Sequence, residues 1–546
     1  VARTPLLRSI VQLAREHQRA QALGLDVQAL RAARAPRPDA RRAGLSRRDF
    51  LGAAALATGA LAAPRAAHAQ GQPRIAIVGA GMAGLAAALK LADHGVAATV
   101  YEAGHRIGGR MFSNTSYFDQ GQVFEWCGEL IDSGHETMLR LAQRFGLVLD
   151  DLHAAEPRGS EETYRFFGQY YPKAQADRDF KEIAPLLRED LRRAGPYTTV
   201  YESTAWGRML NRMSLYDWIE SRVPGGHASP LGALLDTAYY IELNSDTREQ
   251  SALNLVYLLG YQPSWNELHM FGISDEKYHL RGGNQQLPQA IAQHLGAQAL
   301  RLGMRLQAIR RRADGRYELV FLEGSTTRVE LADLVLLTTP FAVLRELDYA
   351  HAGFDALKHH AIQQLGRGRQ SKQHLQFTRR LWNERGHWPG IGNGSSYGDT
   401  GYQSSWETSR AQPGAAGILV GYAGGPFADA MSSTLPFATA TVPAVRQDAL
   451  RFLGQIEPVF PGLAALWNGR STQGLPHLDP NMKCSYSYFR IGQYETIAGY
   501  ERVRQGNVFF AGEHCSFDFQ GFMEGAAAEG ERAGVEMLET LGVTPR

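Results

Sequence analysis

Arg74-Ile75-Ala76-Ile77-Val78-Gly79-Ala80-Gly81-Met82-Ala83-Gly84 is the stretch that decides the fold of this chain. Ile75 to Val78 is a short apolar run of strand type. The pattern from Leu85 to His94 reads as a helix that Gly95 ends, and Ala98-Thr99-Val100-Tyr101-Glu102 reads as the next strand. Strand, glycine turn, helix and strand in this order make a Rossmann βαβ unit. Gly79 permits the tight turn, Gly81 lets the backbone approach a pyrophosphate at the positive helix N-terminus, and Gly84 lets helix pack closely on strand. Ala80, Met82 and Ala83 complete that cradle. Glu102 stands 18 residues beyond Gly84, at a strand end where its carboxylate can accept both hydroxyls of a ribose, with Ala103 beside it. The spacing predicts an α/β fold whose first unit binds a dinucleotide.

Outward from that unit, the chain is electrically divided. Its 57 Lys and Arg and 55 Asp and Glu give a net charge of +2. The first 50 residues hold 11 arginines, no lysine and 4 acids, so residues 51–546 carry 46 basic and 51 acidic groups. Without a basic surplus beyond the arm, no broadly basic nucleic-acid binder is expected. A composition of 44% hydrophobic and 21% charged residues suits a globular protein with two or three interleaved domains. Cys127, Cys484 and Cys515 lack C-x-x-C spacing, so neither a disulfide framework nor a metal site is expected. Ser46-Arg47-Arg48-Asp49-Phe50-Leu51 leads into the uncharged run Leu51 to Ala63 and the A-x-A pattern Ala67-His68-Ala69. This resembles a twin-arginine export signal, and the run is shorter than the roughly 20 residues of a membrane span. Residues 1–69 are therefore read as an N-terminal arm and signal peptide. The resemblance implies the twin-arginine machinery as a transient partner, a periplasmic or secreted location, no stable membrane insertion, and export of a folded protein with its cofactor inside.

Directly after Glu102 comes Arg106-Ile107-Gly108-Gly109-Arg110. A fingerprint, an acid and then R-x-G-G-R resembles the flavin-binding entry of the flavin-dependent amine oxidases, the group with monoamine, polyamine and L-amino acid oxidases. The resemblance continues in Phe124-Glu125-Trp126-Cys127-Gly128-Glu129-Leu130-Ile131 with His135 following, similar to a segment of microbial L-amino acid oxidases. It continues in Arg281-Gly282-Gly283-Asn284-Gln285-Gln286-Leu287-Pro288, and in Asn507 to Glu513 followed by Phe519-Gln520-Gly521-Phe522-Met523-Glu524-Gly525-Ala526. It implies an FAD site built from Gly79 to Gly84, Glu102, Ala103, Arg106, Gly109, Arg110, Gly128, Glu129, Leu130, Leu306, Cys484, Gly512, Glu513, Gly521, Phe522, Met523 and Ala526. It further implies an FAD-binding domain of residues 70–150, 276–345 and 480–546, interleaved with an α+β substrate-binding domain of residues 151–275 and 346–479. Arg328 to Leu337 reads as one strand of a meander, and Ala526 to Leu538 as a helix of small residues.

The same resemblance assigns chemistry. Lys372 matches the family's strand lysine that holds a water against flavin N5; the other reading is a surface lysine on an edge strand. Tyr486, in Leu478-Asp479-Pro480-Asn481-Met482-Lys483-Cys484-Ser485-Tyr486-Ser487, and Phe522 are the expected aromatic walls beside the amine. Cys484 leaves a thioether to the flavin open against a free buried thiol. The expected reaction is oxidation of an L-amino acid or primary amine with O2, releasing H2O2, ammonia and a keto acid or aldehyde. A monoamine or polyamine oxidase, and a flavin dehydrogenase with a periplasmic acceptor, remain alternatives. Arg281, Arg367 and Arg369 are the candidates for an α-carboxylate clamp. A homodimer is left open.

Overall fold

Ile75–Val78 is the central strand of a five-stranded parallel sheet. Leu334–Leu337 and Thr99–Tyr101 flank it, with Val508–Phe510 and Leu300–Arg301 at the outer positions. The two faces of its alternating side chains enter different cores. Ile75 and Ile77 pack with Ala83, Ala87, Leu91 and Met537 under two helices, while Ala76 and Val78 join Leu306, Tyr317 and Phe321. Burial on both faces is why the strand carries four successive apolar residues. This computed structural model describes residues 73–544, so the expected signal peptide lies outside the described residues. From Arg74 onward the contacts form one unit.

The first helix, Met82–Ala92, starts earlier than the apolar pattern indicates, because Gly81 serves as its cap and the small Ala83 and Gly84 fit its first turn. Helix Met523–Thr540 lies against it so closely that a Cβ on Gly530 would stand 2.2 Å from the Ala83 carbonyl oxygen. The expected single strand from Arg328 to Leu337 is two strands. Thr326–Ala332 completes an antiparallel meander with Met304–Arg311 and Tyr317–Glu323, and Leu334–Leu337 enters the parallel sheet. Asp333 marks the change of sheet, its carboxylate accepting the Arg74 backbone N–H at 2.7 Å.

An eight-stranded sheet supplies the opposite side of the molecule. Its order is Phe437–Thr439, Trp467–Gly474, Gln370–Phe377, Gly417–Gly424, Ser404–Glu407, Gly392–Gly398, Glu161–Phe166 and Gln169–Tyr170. Helices Lys173–Ala194, Pro230–Leu243 and Ala252–Leu259 pack beside it around Phe180, Trp218, Tyr239 and Leu255. The indole N–H groups of Trp206 and Trp218 both reach the buried Asp190 carboxylate, at 2.9 and 2.8 Å. All three cysteines are buried free thiols, and among the described residues no helix is long and apolar enough to cross a membrane.

Candidate active site

A cavity of about 620 Å³ runs from the carboxyl ends of the parallel strands to the eight-stranded sheet. Gly79, Gly81, Met82 and Ala83 line its first end, as do Ala103 and Leu306. Glu102 also lines it, each carboxylate oxygen fixed by a backbone N–H at 2.8 Å, from Ala80 and from Gly104. Burial pushes its carboxyl above the usual range. Two helices begin on this cavity, and neither Gly81 nor Phe522 caps its helix with a side chain. Their first N–H groups are open to an anion, which fits the pyrophosphate of a dinucleotide.

Three of the expected cofactor residues stand outside the wall. Ala80 acts through Glu102, which its N–H holds. Gly84 is a packing position, where a Cβ would lie 2.0 Å from the Gly79 carbonyl oxygen. Cys484 is buried behind the wall, its Sγ donating to the Met482 carbonyl at 3.4 Å and lying 3.9 Å from Arg110 Nη1. Burial pushes its thiol up to about 11, so little thiolate forms at neutral pH.

Arg106 and Arg110 brace the turns around the cavity. Arg106 donates to the carbonyls of Ile107 at 3.0 Å and Gly109 at 2.7 Å and lies 3.9 Å above the Phe112 ring. Arg110 donates to the Ser485 carbonyl at 2.7 Å and to Glu513 at 3.0 Å. Glu513 also accepts from Ser487 Oγ at 2.8 Å and from the Gly521 N–H at 3.0 Å. It thereby joins the strand end at Gly512 to the start of the last helix, where Gly521, Phe522, Met523 and Ala526 line the cavity. Gly128 and Leu130 line it beside Met523, and Asn284 holds their segment by donating to the Glu129 carbonyl at 2.7 Å.

Lys372 stands on an inner strand of the eight-stranded sheet, between Gly417–Gly424 and Trp467–Gly474, and is 2% exposed. The reading as an edge-strand surface lysine is thus corrected. Its Nζ forms an ion pair with Glu129 and donates to the Cys127 carbonyl at 2.9 Å. Burial works to raise the Glu129 carboxyl, but the adjacent Lys372 outweighs it and holds it well below the usual range. An ammonium has three protons, so one remains for the cavity that Lys372 lines.

Tyr486 and Phe522 line the same region. The Tyr486 hydroxyl donates to the Glu242 carbonyl at 2.5 Å, and His135 packs edge-on to Phe522 at 5.3 Å. His135 accepts the Asp132 N–H at 3.0 Å through Nδ1, and burial lowers its pKa to about 3, so it sits neutral behind the aromatic wall. The wall also contains Asp132, which directly follows the Phe124 to Ile131 segment, and Trp406, Tyr422, Tyr397, Glu242 and Glu276, none of them in a sequence motif. The elements of these last five are brought to the cavity by folding alone, and no local signal marks them.

A model of the family described as flavin containing amine oxidoreductase matches residues 82–538. The chain belongs to that family. Its cofactor is FAD, and the cavity's helix N-termini, Glu102 and the glycine turns have the chemistry that would hold it. The chain is 25% identical to probable polyamine oxidase 4 of Arabidopsis thaliana over 488 residues, covering 85% of this chain and 86% of that one. It is 22% identical to an L-amino-acid oxidase of Demansia vestigiata over 463 residues, covering 81% and 82%. The fold is that of cyclohexylamine oxidase from Brevibacterium oxydans, with a TM-score of 0.72 at 19% identity over 86% of this chain and all of that one. Putrescine oxidase bound to putrescine is similar, with a TM-score of 0.70 at 18% identity over 86% of this chain and 99% of the other.

Proposed function

We propose that this family member oxidises a cationic primary amine without an α-carboxylate, RCH2NH2 + O2 + H2O giving RCHO + NH3 + H2O2, and that it works outside the cytoplasm after twin-arginine export. The export part rests on Arg47-Arg48 and the run and A-x-A pattern that follow. The similar proteins divide between amine and L-amino-acid oxidases, so the choice of substrate rests on the cavity wall.

The observation that carries it is the charge of that wall. An α-carboxylate calls for a fork of donors. Of the arginines considered for that role none lines the cavity: Arg281 pairs with Asp150 at 2.7 Å, Arg369 pairs with Asp429 at 2.9 Å, and Arg367 is exposed. The arginines that do line it are spent elsewhere or remote. Arg106 and Arg110 serve carbonyls and Glu513, and Arg305 adjoins Leu306 on the dinucleotide side. The wall instead presents the acids Asp132, Glu242 and Glu276, besides Glu129, which pairs with Lys372.

FAD, when bound, supplies the hydride acceptor. The chain's own residues do the rest. Tyr486, Phe522, Trp406 and Tyr422 narrow the space and exclude water, the carboxylates hold the positive charge, and Lys372 keeps a proton at Nζ pointed at the reacting region. Screening mono-, di- and polyamines beside the standard L-amino acids is expected to give peroxide with amines. Peroxide confined to L-amino acids would refute the reading, and reduction of a dye without peroxide would identify a dehydrogenase.

The buried, hydrogen-bonded Cys484 thiol supports non-covalent FAD. Acid precipitation is expected to leave all the yellow colour in the supernatant, and colour retained in the washed pellet would establish a covalent bond.

A further inference from the structure

The aromatic side chains of the cavity wall come from distant parts of the chain, and one residue behind the wall touches two of their segments. Asn244 ends helix Pro230–Leu243 in the left-handed conformation, at φ 53° and ψ 40°, and is 0% exposed. It does not line the cavity. At such a helix end the backbone alone favours glycine, which has no Cβ to clash. The side chain supplies the reason for asparagine. Its Nδ2 donates to the Tyr422 hydroxyl at 2.9 Å and to Ser485 Oγ at 3.1 Å, beside Tyr486 in the chain.

The surroundings are shaped to this residue. A Cβ added to Gly424 would lie 2.7 Å from Asn244 Cα, and one added to Gly368 would lie 2.9 Å from Asn244 Cβ. Gly424 ends the strand that carries Tyr422, and the Gly368 carbonyl accepts the Ser485 N–H at 2.9 Å. The Asn244 carbonyl accepts the Arg369 N–H at 3.1 Å, just before the strand of Lys372 begins.

Tyr422 links Asn244 to the reacting region. It stands directly opposite Lys372 in the antiparallel pairing of Gly417–Gly424 with Gln370–Phe377, so the two side chains leave the sheet on one face. Its ring lies 5.1 Å from that of Trp406. The Trp406 indole donates to Glu129 at 3.1 Å, and its ring lies 5.5 Å from Lys372 Nζ. The Tyr422 hydroxyl gives its one proton to Gln370 Oε1 at 2.9 Å. The Tyr486 hydroxyl, 3.3 Å away, gives its own to the Glu242 carbonyl. The amide of Asn244 is the donor that holds the Tyr422 oxygen.

We propose that Asn244 is a positioning residue for the family's oxidation reaction. From behind the wall it sets the Tyr422 ring, and through that ring the group of Trp406, Glu129 and Lys372. The role is the same whether the substrate is an amine or an amino acid.

Two substitutions isolate the contact. Asn244→Gly keeps the left-handed helix end and removes the amide, while Tyr422→Phe keeps the ring and removes the hydroxyl that the amide holds. Both, and the double variant, are assayed as FAD holoenzymes with the fastest substrate of the amine and L-amino-acid panel, by peroxide or by dye reduction. Each single substitution is expected to lower kcat about tenfold with KM changed less than about threefold, the pattern of a displaced catalytic group with substrate binding kept. Because both remove one contact, their effects should not multiply, and the double variant should stay within about twofold of the slower single variant. The visible circular dichroism of the bound flavin, which reports on the aromatic groups around it, should change alike in all three. A purely structural helix cap would lower the melting temperature and leave kcat and the flavin dichroism at parent values. That result, parent-like kcat in Tyr422→Phe, or a double variant slowed by the product of the singles, about 100-fold, would each overturn the proposal. A panel that favours L-amino acids would refute the amine reading and leave this test intact.

Discussion

Lys372→Met is expected to yield a yellow protein that has lost turnover by about 100-fold or more, the scale of a lost proton-handling group. The FAD-holding turns, Glu102 and the helix starts are far from the substitution in sequence and remain intact. Lys372 has two jobs in the structure, and they must be separated. It offers a proton to the cavity, and it neutralises Glu129, which is 7% exposed. Removing one member of a buried ion pair costs about 3–5 kcal/mol because the other charge is stranded. The single variant should therefore melt early as well as turn over slowly. Adding Glu129→Gln removes the stranded charge while keeping an acceptor for the Trp406 indole, which donates to Glu129 at 3.1 Å. The double variant is expected to regain most of the melting temperature and none of the turnover. Recovery of turnover in the double variant would reduce Lys372 to a structural partner of Glu129. Stopped-flow traces of flavin bleaching and recovery would then show which half-reaction depends on it.

Gly84→Ala should be the most damaging of the small substitutions. Its new Cβ would lie 2.0 Å from the Gly79 carbonyl oxygen and 3.3 Å from Ile77 Cγ2, so the helix must lift off the first strand. That movement opens the turn at Gly79 to Gly81, which sets the pyrophosphate cradle. A loss of about 3 kcal/mol or more from forced overpacking is expected, together with loss of FAD and of the stability that its binding adds. The purified protein should be colourless and melt well below the parent. Gly454→Ala is the matched control. Gly454 lies in helix Pro443–Ile456 with no atom within 4 Å of its added Cβ, and there alanine should stabilise by about 0.5–1 kcal/mol. A yellow Gly84→Ala protein with unchanged melting would show that the helix and strand have slack the structure does not display.

The contrast between these glycines marks what local sequence can say. At Gly84 the fingerprint announces the close approach, because turn, helix and strand lie within a dozen residues and their geometry is set by neighbouring dihedral angles. Gly530 makes an equally tight contact, 2.2 Å from the Ala83 carbonyl oxygen, and nothing near it in the chain announces that. Its partner is more than 400 residues away and meets it only when the two helices cross.

The strand of Lys372 makes the same point with polarity. Gln370-Ser371-Lys372-Gln373-His374-Leu375-Gln376-Phe377 alternates too little to look buried, yet every residue of it is buried. Several of its polar groups are met by distant partners. Gln376 reaches the Asp119 carbonyl at 3.0 Å and Gln122 at 2.9 Å, and His374 reaches Thr472 Oγ1 at 3.1 Å.

The Rossmann unit, the family and the FAD-binding motifs were determined by the sequence alone, since each is a short run of residues whose spacing carries its own geometry. The split of Arg328–Leu337 between two sheets was decided by tertiary structure, as was the retreat of Cys484 behind the wall. So was the acidic wall of Asp132, Glu242 and Glu276. Those three residues belong to separate segments of the chain and line one cavity only once folding has brought those segments together. Charge in a low-dielectric space depends on distance, and the distances between remote segments are properties of the folded chain.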